Sequence, residues 1–74
     1  MKITYDLSVD AVYIYLTPAI DHGQVHKTYT CDPVEVGGQI NLDFDALGRL
    51  LGIEVLDASR KLPEVLLKSA EVIT

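Results

Sequence analysis

QINLDFDALGRLLGIEVL (residues 39–56) alternates Ile40, Leu42 and Phe44 with Asn41, Asp43 and Asp45, breaks at Ala46-Leu47-Gly48, and resumes with Leu51, Ile53 and Val55. Period-two alternation marks a strand with one buried face, and Asp and Gly around a short break are turn formers. The stretch therefore predicts a β-hairpin. A four-residue turn over Asp45–Gly48 sets Phe44 opposite Arg49, Leu42 opposite Leu51 and Ile40 opposite Ile53, all on one face. Asn41, Asp43 and Glu54 then point away from the core.

The same alternation recurs upstream. Residues 2–5 and 11–17 read as two strands around the loop Asp6–Asp10, with Val12, Ile14 and Leu16 inward and Tyr13 and Tyr15 outward beside Lys2 and Thr4. Pro18 to Gly23 forms a surface connection, and a third strand runs from about Gln24 to Cys31. Between the turn signals Asp32-Pro33 and Gly37-Gly38, Val34–Val36 is read as a short strand or edge segment. Downstream, Asp57 is placed to cap a turn over Ala58–Lys61 through its side chain, accepting from the amide of Ser59 or Arg60. Leu62, Val65, Leu66 and Ala70 recur at helical spacing behind Pro63, which predicts a helix over about 63–70. The expected fold is α+β: one domain over residues 1–74, a small antiparallel sheet or meander of about four or five strands with a short C-terminal helix.

Composition bounds the function. A chain of 74 residues with 49% apolar and 23% charged residues is globular in character, near the lower size limit for a lone core. Six Lys plus Arg against eleven Asp plus Glu give a net charge of −5, and the basic residues are scattered. Broad nucleic-acid binding needs a positive footprint, so it is disfavoured, while a basic protein partner suits the charge. One cysteine, Cys31, allows no internal disulfide and is read as a small buried side chain. The opening residues carry no apolar leader and no run is long enough to span a bilayer, which predicts a cytoplasmic protein with no membrane contact.

Several residue sets could carry chemistry. Asp43, Asp45, Glu54 and Asp57 fall close together, but the turn claims Asp45, the helical segment claims Asp57, and the spacing lacks the D-x-D-x-D-G pattern of a calcium loop. His22 and His26, four apart, share a face only on a helix, and Gly23 makes this stretch a loop entering a strand. No serine sits in a nucleophile elbow and Cys31 has no catalytic signature around it. No cofactor is expected. Tyr13 and Tyr15 stand out instead: a large ring with a polar tip on the outer sheet face suits an interface, in a homodimer or with another protein. The leading reading is a non-enzymatic interaction module, a homodimer whose acidic face engages a small basic protein. The alternative is a metal-dependent hydrolase, its site built across a homodimer from Asp43, Glu54 and His22 or His26.

Lys2–Asp6, Asp10-Ala11-Val12-Tyr13-Ile14 and Gly48–Ser59 together resemble the prokaryotic family called domain of unknown function 2283, over residues 2–62. The DAVYI strand and the GIEVLDAS strand-to-helix joint are the most specific pieces. The resemblance implies a small, mostly β domain without an established activity, some relatives being the partner half of proposed toxin–antitoxin pairs. It supplies no catalytic or ligand residues. The chain departs from the family pattern in the Cys31–Gly38 region and in carrying Tyr15 where a charged residue is usual.

Overall fold

The hairpin forms around Asp45. In the computed structural model, which describes residues 1–74, one Asp45 carboxylate oxygen accepts the N–H groups of Leu47 and Arg49 at 2.9 Å each, and the other accepts Arg49 Nε at 2.8 Å. Gly48 takes φ +79°, a left-handed conformation that costs glycine nothing, and the Asp45 N–H closes the loop on the Arg49 carbonyl. This is a three-residue hairpin loop, not a four-residue turn. It joins β4 (Ile40–Phe44) to β5 (Leu50–Leu56).

The register differs from the expected one in two steps. The loop pairs Phe44 with Leu50, and a bulge beyond it pairs Asp43 with Gly52, leaving Leu51 as the extra residue. Leu42 therefore faces Ile53 and Ile40 faces Val55. Each step moves the pairing by one residue. Together they restore the parity, so the apolar residues keep the expected face while the partners shift by two.

The other elements are β1 (Lys2–Asp6), β2 (Ala11–Tyr15), β3 (Lys27–Thr30), α1 (Pro33–Val36), α2 (Ala58–Lys61), α3 (Glu64–Ser69) and β6 (Glu71–Val72). All six strands form one sheet in the order β3-β4-β5-β2-β1-β6. Every pairing is antiparallel except β6 on β1, so the sheet is mixed, with one more strand than the expected upper count. The molecule measures 33 × 29 × 19 Å, the thickness of a sheet plus one helical layer. No helix is long and apolar enough to cross a membrane.

Several expectations are corrected at the margins. Residues 33–36 are a helical turn, because Asp32 caps it through its side chain at 2.9 Å to the Val34 N–H and Pro33 suits its first position. The third strand is shorter than residues 24–31. As an edge strand it leaves Cys31 half-buried, and Leu16 lies past the end of β2 with 41% exposure. Asp57 makes no side-chain cap, since its φ of +55° turns the carboxylate away from the helix start. Pro63 precedes α3 as its capping residue.

The core lies on the face shared by Val12, Ile14, Ile40, Leu42, Ile53 and Val55. Val12 and Val55, opposite each other on the central strands, are 1% and 3% exposed. Leu51 and Ala58 are also buried, Ala58 at the point where α2 packs on β5.

Candidate functional site

The opposite sheet face is polar and tied together by side chains. Alternation places Thr4, Tyr13, Tyr15, Thr28, Thr30, Asn41, Asp43, Gly52 and Glu54 there, from five adjacent strands. Tyr13 stands opposite Glu54 on β5, but its hydroxyl crosses that strand and donates to Asp43 Oδ2 on β4 at 2.5 Å. Thr28 Oγ1 donates to the other Asp43 oxygen at 2.6 Å. One residue row away, Thr30 donates to Asn41 Oδ1 at 2.9 Å, and Asn41 Nδ2 donates to Glu54 Oε1 at 2.8 Å.

The crossing requires Gly52. A Cβ at Gly52 would clash with the Tyr13 ring and hydroxyl, so glycine is the residue that lets the phenol pass over β5. Tyr15, opposite Gly52, tilts against Tyr13 with ring centroids 4.8 Å apart, and Lys2 Nζ sits 4.7 Å above the Tyr15 ring. Burial, followed by the hydrogen bond to charged Asp43, pushes the Tyr13 phenol well above its ordinary value. It remains a donor throughout the physiological range. The face thus presents two fixed aromatic rings beside two carboxylates, a surface suited to guanidinium and ammonium groups.

The residues weighed for metal binding do not converge. Asp43 is held by Tyr13 and Thr28, and Glu54 pairs with Asn41. His22 and His26 lie in the exposed connection between β2 and β3, and no group of three or more metal-ligating side chains comes together. The serine hydroxyls are each committed to another residue: Ser8 to Asp6, Ser59 to Asp10, Ser69 to the Leu66 carbonyl.

A second cluster was not foreseen. Asp10, in left-handed conformation with φ +53°, accepts the Ser59 N–H at 3.0 Å, Ser59 Oγ at 2.7 Å and the Tyr5 hydroxyl at 2.7 Å. The Ser59 and Tyr5 donors hold its carboxyl below the usual carboxylate range, and the same bond raises the Tyr5 phenol. No spacing rule connects residues 10 and 59. The Tyr13–Asp43 bridge did leave a trace, since a glycine inside an apolar strand signals close approach.

Against known proteins, residues 2–59 match the family described as Protein of unknown function (DUF2283). The chain belongs to this family. The DUF2283 match takes in β1 to β5 and the start of α2, and it ends three residues short of the span expected from the DAVYI and GIEVLDAS motifs. All the polar-face residues and both partners of the Asp10–Ser59 joint lie inside the DUF2283 region. No curated protein and no solved structure matches the chain significantly.

Proposed function

We propose that the protein is a protein-interaction module without a reaction of its own, binding a small basic partner on its polar sheet face as an antitoxin holds its toxin. The observation that carries this reading is the pre-ordered Tyr13–Tyr15–Asp43–Glu54 surface. Tyrosines fixed before binding lose little side-chain freedom on association, and carboxylates beside them attract Lys and Arg of the partner. The net charge of −5 favours the same encounter. The reading places the protein in the cytoplasm, where the lone thiol of Cys31 stays reduced.

The test is affinity capture under native conditions, comparing the wild type with Tyr13→Ala/Tyr15→Ala. The expected result is a small basic protein in fixed ratio, its affinity for the variant weakened by roughly 30-fold or more, as for central aromatic anchors. Equal retention by the folded variant, or no stoichiometric companion, would sink the reading.

A further inference from the structure

The sheet has two edges, and they are treated differently. On one side β6 is only two residues long, an added parallel strand that covers β1. Very short edge strands are a common protection against further pairing. On the other side β3 carries Lys-Thr-Tyr-Thr with all four residues exposed, no proline, and no strand paired on its outer edge.

The hydrogen-bond pattern fixes which groups of β3 are free. Cys31 N–H donates to the Ile40 carbonyl, and Tyr29 and Lys27 follow it at period two toward β4. Thr28 and Thr30 therefore direct their N–H and C=O groups outward. Their side chains are already held, Thr28 by Asp43 and Thr30 by Asn41, so the edge is ordered before any partner arrives.

We propose that β3 pairs antiparallel with β3 of a second copy of this chain, making one continuous sheet about a two-fold axis at Tyr29. This goes beyond the polar-face reading and uses a different surface. The outward groups allow few registers, because Thr28 and Thr30 must both fall in hydrogen-bonded pairs. Setting Thr28 opposite Thr30 of the second copy meets that condition in both directions, each pair exchanging both N–H···O bonds. Tyr29 then meets its own counterpart as a non-hydrogen-bonded pair, where cross-strand side chains come closest.

Charge selects the same partner. The chain is acidic overall, yet β3 carries Lys27 and no acid, so two copies can meet here without opposing carboxylates on the pairing strands. In this register Lys27 lies opposite Cys31 of the second copy. The two Lys27 side chains are thus kept at opposite ends of the paired strands. Burial argues in the same direction, because Tyr29 is 52% exposed and the only apolar side chains in the core that are well buried are Val12, Leu51, Val55 and Ala58.

The experiment combines solution mass with a register-specific cross-link. Wild type should give about twice the 8.1 kDa chain mass by light scattering at high concentration and dissociate on dilution. Thr28→Pro removes an outward donor that β4 does not use, a place where an edge strand tolerates proline, and should give a folded monomer by circular dichroism. Tyr29→Cys in a Cys31→Ser background should close an intermolecular disulfide on mild oxidation, whereas Lys27→Cys in the same background should not. A chain that stays monomeric up to about 1 mM overturns the proposal. So does a dimer that persists in folded Thr28→Pro, or one that fails to cross-link through Tyr29→Cys. If Thr28→Pro does not fold, the cross-link pair decides alone.

Discussion

Gly52 is the residue on which the polar face depends. Glycine inside a strand ordinarily weakens it, by about 0.5–1 kcal/mol against alanine. Here the missing Cβ is the space through which Tyr13 reaches Asp43. Gly52→Ala should therefore destabilise the protein by about 1–3 kcal/mol in urea unfolding, the displaced phenol losing its bond to a charged acceptor. In a Tyr13→Ala background the same substitution should be neutral or stabilising, because nothing remains to be displaced and the backbone gains order. Additive effects in that double-mutant cycle would show that the ring and the glycine do not depend on each other.

At the scale of elements, the helical layer is attached more than it is self-supporting. Helices of four and six residues cannot persist alone in water. Arg60 donates to the Gly37 carbonyl at 2.9 Å, the Lys61 ammonium donates to the Val36 carbonyl, and Asp10 holds Ser59 and Tyr5 from the β1–β2 loop. The Asp10 carboxyl is held below its ordinary value of 3.8, chiefly by the Ser59 hydroxyl. A folded pKa lower than the unfolded one contributes stability above the unfolded value and loses it as pH falls through the folded value. Asp45, lowered chiefly by the Arg49 backbone N–H, acts with the same sign. Wild type should thus lose stability between about pH 5 and pH 3, and Asp10→Asn, which tolerates the left-handed backbone but carries no charge, should lose less over that interval. Urea midpoints across the pH series measure this, and parallel curves would remove Asp10 from the account.

For the molecule as a whole, the thinness of the core sets the response to truncation. Val12, on a central strand, is the largest fully buried side chain. Val12→Ala should cost about 2 kcal/mol by guanidinium unfolding, a large share of what a domain of this size has in hand. A loss well under half of that would place the main core elsewhere. The same thinness makes surface association relevant to both proposals, because any covered apolar or aromatic area adds to a small total.

Which side chains turn inward was legible in residues 39–56 and 11–15, because strand periodicity is local and survives errors of pairing. The residue-by-residue register was not, since the hairpin loop and the bulge at Leu51 each moved it by one. The turn at Asp45, the helical end and the outward tyrosines beside Lys2 and Thr4 were also legible, the first two resting on neighbours within a few positions and the last on a single short hairpin. Residues 33–36 were misread because two turn signals hid a proline-started helix behind its Asp32 cap. Strand order, the parallel β6, and Asp10 in place of Asp57 at the start of α2 were settled only in three dimensions. So was the Tyr13–Asp43 bridge: alternation turns both residues outward, but only the order β4-β5-β2 sets them one strand apart on the same face. Alternation is written in adjacent residues, whereas a partner 30 positions away is chosen by the packing of the whole sheet.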